Sequence, residues 1–359
     1  VNVWNGEEWS GTTVVKTGTN QKLMTVATSD GRHLECTPYH KWYIVEGYGK
    51  PAREVRTHEL QPGDRLIKFD APIIDGTEGL TNAYASGFAS GDGTVLPNGQ
   101  TRVYLYGEKK ALRDRFDANI KWSDNGNRLN GIVPDVMSKF DVPSAKHTMA
   151  SRLAWLAGWL DADGTVSNNL KNQSLSGCST NFDFLKRVQA MLQISGIHSK
   201  ITQAYGGGAE MLPKNDGSGN YQAYETKPRW RLHISSVETQ KLLAMGIDFG
   251  RLKVERAQPQ RTALHFVTVT DVIDTGRTDD TYCVTEPKRH MAVFNGILTG
   301  QCMEILQPIA PYNDLPDLYE NDYIGDIIFL DEEGLPYTKA QRLRFEIKGD
   351  PDKREYAFA

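Results

Sequence analysis

The sequence predicts a mixed fold, an all-β body interrupted by a long α+β insert and followed by a tail of different character. Three observations carry this reading. Short strand-like segments fill residues 1–70 and return at 264–301, whereas residues 78–256 mix helical and strand-like texture. Within the insert, YASGFASGDGTV (84–95) aligns without gaps to WLAGWLDADGTV (155–166), and position 163 falls 71 residues after position 92. From Cys302 onward, 13 Asp/Glu face 6 Lys/Arg, a balance of −7, so the whole-chain charge of −4 leaves +3 for residues 1–301.

In chain order, VNVWNGEEWSG, KLMTVATSDGRHLECT and KWYIVEGYGK read as strands. Asn-Gly and Asp-Gly pairs supply hairpin turns among them, and LQPGDRLIKF adds a strand behind a Pro-Gly turn. The segments LHFVTVTDVIDTG and DTYCVTEPKRHMAVFNGILTG restore the β pattern after the insert. The opening residues Val1-Asn2-Val3-Trp4 already lie inside a strand pattern, so the natural N-terminus is expected upstream. Hydrophobic content of 39% and charged content of 24% are ordinary for a soluble protein, and 359 residues allow two or three domains. The basic excess of the body is too small to argue for nucleic acid by itself. Four Cys without a C-x-x-C pair argue against a zinc ribbon or redox motif and suit a reducing compartment. No run of 18 apolar residues and no signal peptide is present, so a cytoplasmic monomer without a membrane partner is expected.

If each repeat copy is a helix, Gly87 and Gly91 lie one turn apart on one face, as do Gly158 and Ala162. Small residues at that spacing let two helices cross with backbones nearly touching. Asp92 and Asp163 follow that face at the helix ends, so crossing the helices brings two carboxylates together. Two such carboxylates repel unless hard cations sit between them, and Mg²⁺ is the natural choice. Shared cations at oxygen ligands are what hydrolysis of a phosphodiester requires. A single DADG is more often a solvated turn; the tandem repeat is what favours the functional reading. An EF-hand loop starting at Asp161 would need Gly at position six and Glu at twelve, and this sequence has Gly at four and Asn172 at twelve.

LAGWLDADG (156–164) resembles the signature of the LAGLIDADG homing endonucleases at seven of nine positions, and ASGFASGDG (85–93) resembles a degenerate first copy. The resemblance implies a pseudo-symmetric, single-chain, Mg²⁺-dependent endonuclease acting on double-stranded DNA. It would have two αββαββα halves, with Asp92 and Asp163 as catalytic acids and metal ligands. FLKRVQAMLQISGI (184–197) resembles the helix that packs after the motif. The sheet strands of that family lie in the DNA major groove. Candidates here are RVYLYG (102–107) and PRWRLHIS (228–235), with Arg102, Arg229 and Arg231 directed at phosphates or guanines. A solvated strand face is the commoner reading of a single such Arg.

The flanks resemble the splicing blocks of inteins. Thr37-Pro38-Tyr39-His40 forms a T-x-x-H arrangement after a strand, and HMAVFNGILTGQC (290–302) resembles the terminal block H-x-F-V-A-N-G followed by apolar residues, His-Asn and Cys. The order of these motifs around the two acidic repeats is more specific than any one of them. The resemblance implies a Hint-type horseshoe splicing domain in two parts, residues 1–75 and 257–301, around an endonuclease at 76–256. It further implies that Thr37 and His40 activate the upstream scissile amide, that Cys302 receives the acyl group, that Gln301 cyclises, and that His290 assists the cleavages. Cys283 falls where Asp is common; a buried strand Cys is the plainer reading. No cofactor is implied for splicing. The first nucleophile and about twenty residues would come from an upstream segment, in frame or as a separate split piece. Two departures stand out: Gly300 replaces the usual His, and Gln301 replaces Asn, so ring closure passes through a longer side chain and is expected to be slow.

CMEILQPIAP (302–311) resembles the active-site segment of a ribonucleotide reductase large subunit, with Cys302 and Glu304 at the radical and base positions. GDIIFL (325–330) departs from that family by placing Leu330 where a redox Cys is usual. Residues 302–359 are therefore expected to be a downstream host fragment. The competing reading is a decayed or regulatory DNA-binding element that has lost splicing, cleavage or both.

Overall fold

The computed structural model describes residues 1–46, 51–67, 73–167, 172–214, 220–255 and 266–300. The chain divides into two compact units. Within the described residues, the first comprises 1–27, 33–67 without 47–50, and 268–300. The second comprises 28–32 and most of 73–267.

The first stretch contributes strands β1 (Asn2–Trp4), β2 (Trp9–Gly11), β3 (Val14–Thr28), β4 (His33–Cys36), β5 (Lys41–Ile44), β6 (Arg53–Arg56) and β7 (Arg65–Ile67). The expected turn residues close its hairpins. Asn5-Gly6 joins β1 to β2 with Gly6 at φ +104°, and Asp30-Gly31 joins β3 to β4 with Gly31 at φ +84°. Pro62-Gly63 turns the chain into β7, with Gly63 at φ +103°.

The insert opens with α1 (Ala83–Asp92), β8 (Gly93–Val95), β9 (Thr101–Tyr106), a 3-10 stretch (Gly107–Arg115), β10 (Ser123–Asp124) and β11 (Arg128–Val133). The second copy follows as α2 (Met149–Asp163), β12 (Gly164–Val166), β13 (Leu175–Ser179), α3 (Phe182–Ile194) and β14 (Lys200–Tyr205). A separate ribbon, β15 (Gly208–Pro213) with β16 (Tyr221–Thr226), precedes β17 (Arg229–Ile234) and α4 (Ser236–Ala244). The two four-stranded sheets run β8-β9-β11-β10 and β12-β13-β17-β14. Counting strands within each copy and setting the ribbon aside, both read first, second, fourth, third.

Helices α2, α3 and α4 start at capping side chains. Thr148, Asn181 and Ser235 accept from the backbone N–H three residues on, at 3.2, 3.0 and 3.5 Å. The first half departs from the expected αββαββα pattern. The 3-10 stretch stands for its second helix, and no helix lies between β11 and α2 among the described residues. Pro134 and Pro143 interrupt that segment, and Asp135 and Phe140 adopt φ of +49° and +71°, conformations a helix does not contain.

Helices α1 and α2 pack with backbones in contact, which leaves little of α1 exposed. A Cβ built on Gly87 would lie 1.8 Å from the Trp155 carbonyl oxygen, and one on Gly158 would lie 1.9 Å from that of Tyr84. Trp155, Leu156, Trp159, Leu160, Phe184, Val188, Leu232 and Ile234 form the core beneath the second sheet, and Phe88, Val103, Leu105 and Val133 that beneath the first. Thr28–Arg32 belong to this second unit. The Asp30 carbonyl accepts from the Ile201 N–H and the Gln189 side chain, both at 2.9 Å, and Arg32 pairs with Asp30 and donates to Gln193 at 3.2 Å.

After the insert come β18 (Phe266–Val284), β19 (Met291–Phe294) and β20 (Ile297–Gly300). The first unit's main sheet is a curled antiparallel half-barrel ordered β19-β20-β5-β7-β18-β3-β4, with β6 added on β5. Asn295-Gly296, at φ +46° and +82°, makes the tight β19–β20 turn in which Phe294 faces Ile297. No helix is long and apolar enough to cross a membrane among the described residues.

Candidate functional site

Asp92 and Asp163 are the last residues of α1 and α2, and glycine follows each. The close helix crossing brings these ends together: a Cβ on Gly91 would sit 2.7 Å from both the Ala162 Cβ and the Asp163 Oδ2. Cations surround the pair. The Lys109 ammonium donates to Asp92 Oδ2, and Lys139 donates to the Gly93 carbonyl at 2.5 Å. Asp163 keeps an exposed face, but the chain around it strips enough water to raise its pKa, and the like charge of Asp92 raises it further, to about 6. Lys109, Lys139 and Arg251 oppose that rise without cancelling it. Among the described residues no cluster of three or more His, Cys, Asp or Glu could hold a metal alone. The donor set fits a hard divalent cation bound by two carboxylates and completed by phosphate and water oxygens.

The sheets place the predicted arginines on their outer faces. Arg102, Tyr104 and Tyr106 alternate with the fully buried Val103 and Leu105 on β9. Arg128 on β11 faces Tyr106 and stacks over Tyr104 at 4.7 Å, and Asn130 faces Tyr104. On β17, Arg231 is exposed. Arg229 is committed within the chain, bonded to Glu210 at 2.8 and 2.9 Å and lying over Tyr205 at 5.1 Å. The neighbouring His233 has a lowered pKa from desolvation and from the charges of Arg231 and Lys200.

In the first unit, Thr37 is buried (5% exposed), and its hydroxyl has no hydrogen-bond partner among the described residues. Three residues on, the His40 ring packs edge-on against Trp42 at 5.5 Å, and desolvation lowers its pKa to about 4. The imidazole is therefore neutral at pH 7 and becomes an acid only after accepting a proton. Cys283 is buried on β18, with its thiol 3.5 Å from the Val284 carbonyl, and forms no disulfide. His290 is exposed at φ +56°, and its backbone N–H is anchored to Glu286 at 3.0 Å. Gly300 is buried: a Cβ there would lie 2.8 Å from the Lys41 Cβ and 2.9 Å from the Tyr43 hydroxyl. Gln301 and Cys302, with the whole host fragment, lie outside the described residues.

Sequence reasoning missed Lys109 and Lys139, which meet their partners only through the tertiary fold, and Glu286, whose local turn is joined to Asn5 from the start of the chain. Fully buried Glu286 accepts from Asn5 at 3.2 Å and from the backbone N–H groups of Lys288, Arg289 and His290 at 3.2, 2.7 and 3.0 Å. Burial alone would raise its pKa, but the nearby Ser10 hydroxyl and the hydrogen bonds from Arg289, Asn5 and Lys288 outweigh it and hold the value at about 2. A depressed carboxylate stabilises fully above its unfolded value of 4.5, and the contribution is lost as pH falls toward about 2. Glu286→Gln should cost about 1–3 kcal/mol at pH 7 in chemical denaturation, with the gap closing across that acidic window.

The profile of the LAGLIDADG-like domain family matches residues 150–245, which span α2 and the second sheet. Residues 150–245 form a LAGLIDADG-like domain. The chain is 44% identical over 325 residues to the ribonucleoside-diphosphate reductase large subunit of Invertebrate iridescent virus 6, covering 86% of this chain and 34% of the relative. It is 25% identical over 365 residues to the reductase NrdEB subunit alpha of Bacillus subtilis, covering 85% and 33%. The replication factor C small subunit of Pyrococcus furiosus matches at 23% over 235 residues, covering 62% and 26%. The chain thus spans between a quarter and a third of the length of these relatives. Among solved structures, the homing endonuclease I-DmoI in complex with DNA and Ca aligns at 14% identity with a TM-score of 0.29, covering 48% of this chain and 92% of that one. The LAGLIDADG-like domain therefore sits in a chain related to ribonucleotide reductase large subunits.

Proposed function

We propose that this chain is an intein seated in a ribonucleotide reductase large subunit, and that its inserted LAGLIDADG domain is a Mg²⁺-dependent, site-specific DNA endonuclease. The pairing of Asp92 with Asp163 at the ends of two tightly crossed helices carries the nuclease reading. A bound divalent cation would supply activation of water and stabilisation of the leaving oxygen. Asp92 and Asp163 would hold it, and the exposed face of Asp163 leaves room for a phosphate. Lys109, now on Asp92, is placed to shift onto the phosphate when a cation takes its place. Arg102, Arg128, Tyr104, Asn130 and Arg231 line outer sheet faces suited to the major groove.

The matched lengths support the splicing reading. A match over 86% of the chain is about 309 residues, and only 58 residues lie beyond Gln301, so at least about 250 matched residues fall within 1–301. By the same count at least about 165 residues of the replication factor match fall there. Relatives with unrelated names thus each resemble the chain within residues 1–301, as expected if that stretch is a mobile element. In this reading Thr37 offers a hydroxyl to the upstream scissile carbonyl, and neutral His40 takes a proton before returning it to the leaving nitrogen. Cys302 then receives the acyl group, and cyclisation of Gln301 breaks the last bond.

Purified protein with Mg²⁺ should cut DNA carrying the uninterrupted host junction, and loss of cutting in Asp92→Asn should accompany it. Failure of the wild type to cut that site sinks the nuclease reading. For splicing, the chain supplied with an upstream segment should yield ligated host sequence by mass spectrometry; unprocessed precursor alone would count against it. Restoring the usual residue should not accelerate splicing. Gly300→His drives a side chain into Lys41 and Tyr43 and should cost about 1–3 kcal/mol, read as a lower melting temperature, with Tyr43→Ala relieving part of it.

A further inference from the structure

The two copies hold their acids differently. In the second copy, the fully buried Asp161 accepts from the backbone N–H groups of Gly250, Arg251 and Leu252 at 2.6, 2.9 and 3.2 Å, and from the Tyr84 hydroxyl at 2.8 Å. The loop so captured turns the Arg251 guanidinium back onto the end of α2. There it donates to the carbonyls of Leu160 at 3.0 Å, Asp161 at 2.6 Å and Gly164 at 2.6 Å. Arg115 ties the same loop down through Asp248, donating at 2.8 Å to its carbonyl and at 2.7 Å to its carboxylate. Carbonyls at a helix C-terminus lack intrahelical partners, and a cation there satisfies them and complements the helix dipole.

The first copy has a thinner version. Lys139 donates to the carbonyl of Gly93, the counterpart of Gly164. The counterpart of Asp161 is Ser90, whose hydroxyl only reaches back to the Ser86 carbonyl at 3.3 Å.

We propose that Arg251, locked by Asp161, is a positioning residue that clamps the last turn of α2 and thereby holds Asp163 in its productive place, whereas at the end of α1 Lys139 reaches one carbonyl and Lys109 holds the Asp92 carboxylate itself. The proposal rests on the endonuclease reading. With each acid taken as the main metal ligand for the cut of one strand, losing the clamp should slow the cut served by Asp163 and spare the other, because a small displacement of a catalytic group costs rate steeply. The two strand cuts are then unequally dependent on the loop at 248–252.

The test uses Arg251→Met in the full chain on a supercoiled plasmid bearing the host junction. Nicked circles should accumulate because cutting of one strand slows by about tenfold or more, while DNA affinity stays within about twofold. Equal slowing of both cuts, or an unchanged ratio of nicked to linear product, overturns the proposal. Tyr84→Phe removes one donor to Asp161 and should give a weaker shift in the same direction, which covers the case of a poorly folded Arg251→Met. Amide exchange reads the clamp without cleavage. It should rise at residues 160–166 and not at 89–95, and unchanged exchange at 160–166 overturns the clamp even if the wild type cuts no DNA. Wild-type protein that fails to cut, but shows the exchange effect, removes the endonuclease reading and leaves the clamp.

Discussion

Gly158→Ala is expected to destabilise the LAGLIDADG-like unit by about 3–5 kcal/mol, among the largest effects of any single methyl in the chain. The added Cβ would lie 1.9 Å from the Tyr84 carbonyl oxygen, 2.8 Å from its carbon and 3.0 Å from the Phe88 nitrogen. All three are backbone atoms of α1, so no side-chain rotation relieves the clash and the helices must move apart. Separation opens the contacts of Trp155, Trp159 and Phe88, each less than 2% exposed, and pulls Asp163 away from Asp92. A melting experiment should show a drop on the order of 6–20 °C for that unit. Gly79→Ala, whose Cβ meets nothing within 4 Å, serves as the control and should stay within about 0.5 kcal/mol. Equal behaviour of the two variants would show that the crossing tolerates a methyl.

The second large effect is chemical. Asp163→Asn should lower DNA cleavage by about a hundred- to a thousandfold while leaving DNA binding nearly intact, as measured by cleavage rate and gel shift. At limiting Mg²⁺ the wild type should lose activity as pH falls below about 6, since a proton then competes with the cation for Asp163. The stability consequence has the opposite sign to that of Glu286. A carboxylate whose folded pKa is raised from 3.8 to about 6 destabilises the folded state increasingly as pH rises across that window, and fully above it. Asp163→Asn should therefore raise the melting temperature slightly at pH 7.5. The gain should stay below about 1 kcal/mol, because the exposed face of Asp163 screens the repulsion. A variant that loses activity and stability together would place Asp163 in the scaffold rather than the chemistry.

Much of the fold was legible before any coordinates. Local rules act over a few residues: Asn5-Gly6, Asp30-Gly31 and Asn295-Gly296 turn hairpins because positive φ is cheap there. The helical period placed Gly87 with Gly91, and Gly158 with Ala162, on one face each, and the glycine after Asp92 and Asp163 marked the helix ends. The helix missing after β11 was less legible, although Pro134 and Pro143 were there to be read. His290 illustrates the limit of a motif: its spacing drew attention, but its side chain is exposed and Glu286, four residues earlier, anchors the turn.

The sequence by itself determined the motif order, the helix crossing and the pair of acids, since each follows from periodicity or from residue type at a short spacing. Only the tertiary structure decided which cations attend those acids. Lys109 lies 17 residues from Asp92, Lys139 46 residues from Gly93, and Arg251 90 residues from Asp161. It also decided why position 300 is glycine, because Lys41 and Tyr43 occupy that space from a strand more than 250 residues earlier. The physical reason is the same throughout. Turn and helix preferences are set by neighbouring backbone atoms, whereas charge and steric exclusion act through space and depend on which strands close the sheet.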